Sequence, residues 1–376
     1  MSVEYKALGR NDVNSVESIL ADDAIDFGDL AHTTAVGADA IFTWDYERSR
    51  AGLSKLYERA KSSQWNGSTD LDWSIDVDVE FVAREMQSAI AHLRQRLTDL
   101  PNSPLKTWTE DEWTNLAVEA FNWRMSNFLH GEQGALLCTA KIVETVPWID
   151  AKYYASTQVM DEARHVEVFA RYLDTKLEGH YPVNPALQLL IDDILGDNRW
   201  DMTYMGMQIM VEGLALAAFG FMHAVTQEPL LKKMLRYVMS DEARHVAFGV
   251  LSLKEYYEGL SGSEIRERQE FAYDAALRMR DRLMMQAVWE RCGINRKAIT
   301  EMLFEIHKPG VNPFQAALFS KIVPNCKKLG LLDAGDAWLR DKFTEIGVIE
   351  FEDAPDTETE YAILDAVAAD REAASV

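Results

Sequence analysis

A six-residue sequence, Asp-Glu-Ala-Arg-His-Val, occurs twice in this chain of 376 residues, at 161–166 and at 241–246. Two random positions match roughly 6% of the time, so a shared hexapeptide has odds on the order of 0.3% in a chain of this length. Glu132 and Glu212 are also 80 residues apart, and each lies 30 residues before the glutamate of its own hexapeptide. The chain therefore carries one pattern twice, a glutamate followed on the next helix by Glu-x-x-His.

The spacing of this pattern places ionisable side chains on one face of a helix. Residues three apart differ by about 60° in rotation and ~4.5 Å in rise, so a glutamate and a histidine at this spacing project together. A helical hairpin would bring the earlier glutamate beside each pair. Four carboxylates and two imidazoles suit two divalent metal ions with mixed oxygen and nitrogen preference, such as iron or manganese. The predicted metal ligands are Glu132, Glu162, His165, Glu212, Glu242 and His245.

A metal-free core is the alternative interpretation of these residues. A single Glu-x-x-His on a helix is usually a solvated face or a salt bridge. Here, however, Glu132 lies in NFLHGEQGALLC and Glu212 lies in MQIMVEGLALAAFGF, both of which are largely apolar. Burying an unpaired carboxylate is costly unless a positive charge compensates it. Bound metal ions supply that charge, so the pattern favours a metal centre.

Prolines separate long stretches of helical periodicity, and the strict alternation of strands is absent from the middle of the chain. Thr109 precedes three acidic residues, as an N-cap does, and Pro229 stands where a first-turn proline belongs. The sequence therefore predicts an all-α fold with a four-helix core and additional helices. The predicted long helices are 78–100, 109–146, 148–178, 198–226, 229–259 and 261–292, with shorter ones to 346.

The two ends of the chain differ from this middle region. Residues 1–75 show short helical patterns at 13–24 and 38–59, and we expect them to form an N-terminal extension packed on the bundle. Residues 76–346 are predicted to form the helical di-metal domain. Residues 347–376 are acidic and alanine-rich, and we expect a mobile or weakly helical tail.

The charge of the chain excludes several classes of partner. Its 61 acidic and 38 basic side chains give a net charge of −23, which argues against nucleic acid and anionic membranes. Three scattered cysteines (Cys138, Cys292 and Cys326) do not suggest disulfides or a thiolate zinc site. We expect no signal peptide, and no apolar run approaches the ~20 residues that span a bilayer. The sequence predicts a cytoplasmic protein.

In these motif residues the chain resembles the ferritin-like di-iron carboxylate oxidases and oxygenases, over roughly residues 78–292. The Asp-Glu-Ala-Arg-His stretches match similar motifs of bacterial multicomponent monooxygenases, and acyl carrier protein desaturases and the ribonucleotide reductase small subunit are related. The resemblance implies that the six residues bind two iron ions, with manganese or a mixed manganese–iron pair as alternatives. It also implies O₂ as a substrate, an electron donor protein such as a ferredoxin or reductase, and a homodimer.

The resemblance extends to residues around the ligands. In similar enzymes an aspartate accepts a hydrogen bond from the second nitrogen of a ligand histidine, which fixes its tautomer. Asp161 and Asp241 would have this role, with Arg164 and Arg244 pairing with them across the helices. Ordinary pairs within one helix are the alternative. Related oxidases also conduct electrons through a tryptophan linked to such an aspartate, and Trp73 or Trp123 would serve here.

The resemblance leaves several activities open. Phe169 occupies the position of the radical tyrosine of ribonucleotide reductase, so a tyrosyl radical there is not expected. We expect hydroxylation, desaturation or N-oxidation of a small, largely apolar molecule. A non-catalytic di-metal or ligand-binding protein, or an oxidase like the ribonucleotide reductase small subunit, is the alternative. The expected substrate pocket is lined by Leu136, Thr139, Ala140, Phe169, Leu216, Phe219, Gly220 and Phe248, although its small residues would also allow close helix packing.

Overall fold

The computed structural model describes residues 5–10, 12–22, 32–88, 91–177, 179–306 and 313–355, the side chains of 313–318 excepted. Every regular element in these ranges is helical, which confirms the predicted all-α helical fold. A π-helical segment, Met205–Val211, joins α8 to α9, and 3-10 turns occur at Ala7–Gly9, Pro104–Thr107 and Ile349–Phe351. The α-helices are α1 (Val16–Leu20), α2 (Ala51–Ser62), α3 (Val79–Ser88), α4 (Ala91–Asp99), α5 (Glu110–Thr145), α6 (Ile149–Lys176), α7 (Pro185–Gly196), α8 (Trp200–Tyr204), α9 (Glu212–Val225), α10 (Pro229–Glu258), α11 (Gly262–Arg282), α12 (Gln286–Arg291), α13 (Arg296–Ile306), α14 (Pro313–Lys328) and α15 (Trp338–Glu345).

Two helical hairpins form the centre of the fold. α5 and α6 are joined by three residues and pack along each other, and α9 packs in the same way on α10. The start of α5 is fixed by the predicted cap, because the Thr109 hydroxyl accepts from the Glu112 amide while the Glu112 carboxylate accepts from the Thr109 amide. Pro229 begins α10, and Glu228 accepts hydrogen bonds from the next two free amides. These caps set the register of the helices that carry the repeated motif.

The N-terminal residues pack on this core. α2 lies against α6 and α10. Residues 32–50 contain no helix, so the predicted helix at 38–59 is wrong over its first half. The segment instead follows the α5–α6 connection, where the Ile41 amide donates to the Glu144 carbonyl at 2.8 Å and the Thr43 hydroxyl donates to the Pro147 carbonyl at 2.7 Å. These contacts are long-range in sequence, and local periodicity cannot reveal them.

Other helix boundaries also differ from the expectation. The predicted helix at 261–292 is interrupted after Arg282, because Met285 adopts a left-handed conformation at φ 50°. The predicted helix at 78–100 corresponds to α3 and α4, and residues 89 and 90 between them lie outside the described part of the chain. Within the described residues, the stretch Trp200–Val225 is apolar enough to cross a membrane, but 78% of its most apolar window is buried in the protein, as in a core helix. The predicted tail lies outside the described residues from 356 onward.

The π-helical segment directly precedes Glu212 and is entirely buried. The Glu212 amide donates to the Met207 carbonyl, five residues back, so the chain is wider here than in an α-helix. α10 approaches this segment closely at Gly249. A Cβ atom added at Gly249 would lie 2.5 Å from the Gln208 Cβ and 3.2 Å from the Ile209 Cδ1. The glycine therefore sets the distance between the helix of Glu212 and the helix of Glu242 and His245.

We expect Gly249→Ala to lower the free energy of unfolding by about 1–3 kcal/mol, because the added methyl group collides with a helix that cannot move aside. Gly131→Ala in α5 is the matched control. A Cβ there has no neighbour within 4 Å, so the substitution should stabilise the protein by up to ~1 kcal/mol through helix propensity. Denaturant unfolding measures both. Equal stability of the two variants would contradict close packing at Gly249.

Candidate metal centre

The structure brings the six predicted ligand residues into one buried cluster between the two hairpins. Glu162 and Glu242, which belong to the repeated hexapeptides, each face both histidines. The Glu162 carboxylate lies 3.5 Å from His165 Nδ1 and, through its other oxygen, 3.1 Å from His245 Nδ1. The two oxygens of Glu242 lie 3.2 Å and 3.4 Å from the same two nitrogens. Each of these carboxylates therefore spans two neighbouring positions.

The glutamates from the preceding helices face one histidine each. A carboxylate oxygen of Glu132 lies 3.2 Å from His165 Nδ1, and one of Glu212 lies 3.7 Å from His245 Nδ1. Two groups of side chains have ligand atoms within 4.8 Å of one another and could each hold a metal ion. They are Glu132, Glu162, His165 and Glu242, and Glu162, Glu212 and His245. Each group contains one histidine and the glutamate of the preceding helix, so the arrangement reflects the repeat in the sequence.

The side chains of this cluster leave buried oxygen and nitrogen atoms that bound cations could contact. All six are at most 5% exposed. Four of their polar atoms make no hydrogen bond with any residue that the structure describes, namely Glu162 Oε2, Glu212 Oε2, Glu242 Oε2 and His245 Nδ1. Buried carboxylate oxygens without partners are expensive, and divalent cations at the two positions would satisfy them. The residues present therefore fit a di-metal centre.

The pKa values of the cluster also indicate that it needs positive charge. Burial, together with the charge of Glu242, raises the pKa of Glu132 to about 8. Burial and the neighbouring Glu162 raise the pKa of Glu212 well above its usual range. Although burial lowers the pKa of both histidines, the carboxylates around them outweigh it and raise each pKa well above its ordinary value. Without metal ions, the cluster must hold several protons instead.

Asp161 and Asp241 lie behind the histidines, at their second ring nitrogens. His165 Nε2 is 3.1 Å from Asp241 Oδ2, and His245 Nε2 is 3.4 Å from Asp161 Oδ2. Each aspartate therefore contacts the histidine of the opposite half. These contacts suit donation from Nε2 and leave Nδ1 of each ring facing the glutamates.

Arg164 and Arg244 complete this network with pairs of both kinds. Each arginine pairs with the aspartate three residues before it on its own helix. Arg164 also reaches Asp241 at 3.0 Å, and Arg244 reaches Asp161 at 3.8 Å. Both the cross-helix pairing and the intrahelical alternative are present. The four charges link α6 to α10 behind the histidines.

Three residues of the site are missing from the sequence prediction. Gln158 donates to Glu162 at 2.9 Å and to Glu212 at 2.8 Å, and its position four residues before Glu162 is a signal that could have revealed it. The Trp65 indole donates to Asp241 Oδ2 at 2.8 Å, and Gln64 donates to Asp161 at 3.1 Å. Both follow α2 in the N-terminal extension. No local pattern connects them to residues about a hundred or more positions later.

Trp65, and neither Trp73 nor Trp123, is the tryptophan linked to an aspartate of the site. The Trp73 indole donates to the Gly67 carbonyl at 2.7 Å. Trp123 is buried in a separate apolar cluster that includes Trp113. The sequence contains ten tryptophans, and periodicity alone did not distinguish among them.

The predicted pocket residues are arranged differently from the expectation. Phe169, Phe219 and Phe248 are fully buried, whereas Ala140 is exposed on the outer side of α5. Phe169 and Phe219 stack at 5.6 Å and are joined by Phe128, whose ring centre lies 4.7 Å from that of Phe219. Phe128, Phe169 and Phe219 therefore form one aromatic group.

A cavity of about 1090 Å³ lies on the other side of Phe128, and none of the eight predicted pocket residues lines it. Its apolar wall includes Trp123, Phe128, Leu214 and Ala218, and Arg282 contributes a buried guanidinium group. Leu214 and Ala218 lie two and six residues after Glu212. At about 100° per residue, these positions are rotated by about 200° and 240° from Glu212, so the cavity lies on the side of α9 away from the Glu212 side chain.

No protein-family model matches the chain, and no curated protein matches it. Several solved structures are similar in fold. A variant of an R2-like ligand-binding oxidase with an aerobically reconstituted Mn/Fe cofactor is 15% identical, with a TM-score of 0.49, over 78% of this chain and 96% of that one. An R2-like ligand-binding oxidase with an aerobically reconstituted metal cofactor after photoconversion is 16% identical, with a TM-score of 0.48, over 76% and 94%. The chemistry of this chain is argued below from its own side chains.

We expect the metal-free protein to lose stability as the pH rises from 6 to 9. Folding raises the pKa of Glu132, Glu212 and both histidines, so their contribution is present at low pH and is lost as the pH passes the folded values, about 8 for Glu132. Chelator-treated protein should become less stable by about 2 kcal/mol over this range in thermal unfolding. Glu132→Gln should reduce the slope. An unchanged slope in that variant, or stability that rises with pH, would contradict the assignment.

Proposed function

We propose that this chain is an O₂-activating di-metal oxidoreductase that acts on a small, largely apolar organic substrate. Two metal ions would be held by Glu132, Glu162, His165, Glu212, Glu242 and His245. The observation that carries this proposal is that Glu162 and Glu242 each face both histidine Nδ1 atoms within 3.5 Å. Two carboxylates that span two nitrogen ligands are suited to a pair of neighbouring ions rather than to a single one.

Iron is the metal we propose, with manganese or a mixed manganese–iron pair as alternatives. The donor set of carboxylate oxygens and imidazole nitrogens suits all three. The similar solved structures are described as carrying Mn/Fe or reconstituted metal cofactors, which agrees with this choice. When bound and reduced, such a centre supplies the electrons and the oxidising power for reactions of O₂.

The protein residues around the centre would fix its ligands and its charge. Asp161 and Asp241 accept hydrogen bonds from the histidine Nε2 atoms and so orient each imidazole. Gln158 holds the carboxylates of Glu162 and Glu212 together. Arg164 and Arg244 neutralise the two aspartates in a region with almost no solvent exposure. These contacts would hold the ligand side chains in place when the charge of the bound metal ions changes.

The apolar surroundings would select the substrate and exclude water. The cavity that Phe128 lines has room for a small organic molecule, and Phe128 also packs against Phe169 and Phe219. We propose that a movement of Phe128 would connect this cavity to the cluster. Phe169 has no hydroxyl group to oxidise, so oxidising equivalents are left for the substrate. We propose hydroxylation, desaturation or N-oxidation as the reaction.

These reactions consume O₂ together with electrons beyond those of the substrate. In a hydroxylation, one oxygen atom enters the substrate, the other leaves as water, and a donor supplies two electrons. Trp65 is joined to His165 through Asp241 by hydrogen bonds of 2.8 and 3.1 Å and offers a route for such electrons. We propose an electron donor protein as a partner, and a cytoplasmic homodimer as the working form.

We expect protein loaded anaerobically with ferrous iron to hold about two metal ions per chain. Glu132→Ala and His245→Ala should each lose at least one ion, because each removes a ligand that faces a single position. His130→Ala is the matched control on the same helix as Glu132. Its ring contacts the Tyr181 carbonyl at 2.9 Å, and the variant should retain both ions. Elemental analysis of the purified variants measures the number of metal ions per chain. Full occupancy in Glu132→Ala and His245→Ala would refute the ligand assignment.

We expect Phe219→Ala to change which compounds are oxidised more than it changes metal content. The ring packs against Phe128 and Phe169, so its removal should enlarge the space next to the centre. O₂ consumption with a panel of small apolar compounds, normalised to bound iron, measures the effect. Phe121→Ala removes a fully buried ring that does not belong to this aromatic group and is the control. The same substrate profile in both variants would count against the proposed location of the substrate.

A further inference from the structure

The indole of Trp65 lies at the inner end of an aromatic path to the protein surface. The ring of Tyr237 stacks on it, with ring centres 5.0 Å apart and an angle of 15° between the planes. Trp65 is buried, whereas Tyr237, on α10, is half-buried. Since Trp65 is hydrogen-bonded to Asp241, which contacts His165, Tyr237 is the outermost member of a continuous chain of contacts from the cluster.

Two cations flank the outer end of this path. The ammonium of Lys233 lies 5.8 Å from the centre of the Tyr237 ring, and the guanidinium of Arg236 lies 5.4 Å from it. Both side chains are exposed. Among the described residues, neither has a carboxylate oxygen within 4.0 Å. We call Lys233, Arg236 and Tyr237 the Tyr237 patch.

Unpaired cations are notable in this chain because carboxylates exceed basic side chains by 23. Other cations of the surface are paired with carboxylates, for example Arg84 with Glu80 and Lys61 with Glu58. The effects of the patch on its neighbours are those of positive charge. The pKa of Asp72 is lowered chiefly by hydrogen bonds from Ser74, and Lys233 lowers it further.

His223 shows the same influence on the other side of the patch. Burial lowers its pKa, and the charges of Lys232 and Arg236 add to that effect. The ammonium of Lys232 is occupied by the carbonyls of His223 and Thr226 at the end of α9. Lys233 and Arg236 are therefore the cations of this region that remain available to a partner.

We propose that the Tyr237 patch is the docking surface for an acidic one-electron carrier protein. The carrier would deliver electrons through Tyr237 and Trp65 toward His165. This inference rests on the proposed function for its purpose, although the docking can be measured without it. Each transfer oxidises the carrier by one electron and reduces the metal centre by one electron. Tyr237 and Trp65 shorten the path without changing their own oxidation state, and two transfers complete the pair that O₂ chemistry requires.

The charge of the whole chain makes the site of docking selective. A net charge of −23 repels an acidic protein over most of the surface, whereas Lys233 and Arg236, which both flank the Tyr237 ring, attract it locally. At ~0.15 M salt these forces act over only about 8 Å, so the attraction is confined to the region of the patch. Such rim charges govern the association rate and the salt dependence of a transient complex. The same cations would orient the carrier's redox group over Tyr237.

The experiment measures the affinity of a plant-type [2Fe–2S] ferredoxin, an acidic one-electron carrier, by calorimetry at low salt. The Kd should rise roughly tenfold in Lys233→Glu and again in the double variant with Arg236→Glu, and the differences should shrink as salt is added. Lys254→Glu is the matched control. Lys254 is an exposed lysine on the same helix, 21 residues further along and therefore ~31 Å away. Equal Kd values for Lys233→Glu and Lys254→Glu, or no saturable binding of the unsubstituted protein, would overturn the proposal.

A second measurement separates the docking from the electron path. Stopped-flow mixing of reduced ferredoxin with oxidised, iron-loaded protein should show several-fold slower ferredoxin oxidation in Trp65→Phe, with an unchanged Kd. Phenylalanine preserves the buried ring but not the hydrogen bond to Asp241. Reduction by dithionite with a small mediator should be similar in all variants. An unchanged rate in Trp65→Phe would overturn the path, while the calorimetry, repeated on metal-free protein, tests the docking even if the metal assignment fails.

Discussion

Four carboxylates buried at one point of a helical bundle are the constraint on which the rest of this structure depends. Glu132, Glu162, Glu212 and Glu242 are each at most 5% exposed, and such a group is unstable without positive charge nearby. The histidines face inward to supply part of that charge, and the arginines behind them hold the aspartates that orient the rings. The lengths of α5, α6, α9 and α10 and the close approach at Gly249 all serve to bring these charges together.

The sequence was sufficient to predict the helical fold and the convergence of the six ligand-type residues, because the evidence for both is local. The Glu-x-x-His spacing places both side chains on one face of a helix. Its repetition after 80 residues indicates that two such hairpins pack together. Trp65 and Gln64 could not be found in this way, since their contacts with Asp241 and Asp161 cross most of the chain. The turn at Met285 was missed for a related reason, because helical periodicity continues on both of its sides.

The substrate pocket remains a prediction, and the structure shows how its aromatic side chains pack. Phe169 and Phe219 pack against each other and against Phe128. The accessible volume lies beyond that ring, next to Leu214 and Ala218. A helical face tells which residues point inward. It does not tell whether their side chains meet or leave a gap.

The internal repeat makes the ligands of the two halves equivalent, yet their surroundings differ behind the two histidines. Asp241, behind His165, accepts a hydrogen bond from an indole, whereas Asp161, behind His245, accepts one from the amide of Gln64. The Gln64 amide cannot carry an electron, whereas the Trp65 indole is a group that can. If electrons enter as we propose, Gln64 and Trp65 would make the site directional, with electron entry on the His165 side. The two halves of the site would thus differ in function although their six ligand residues match.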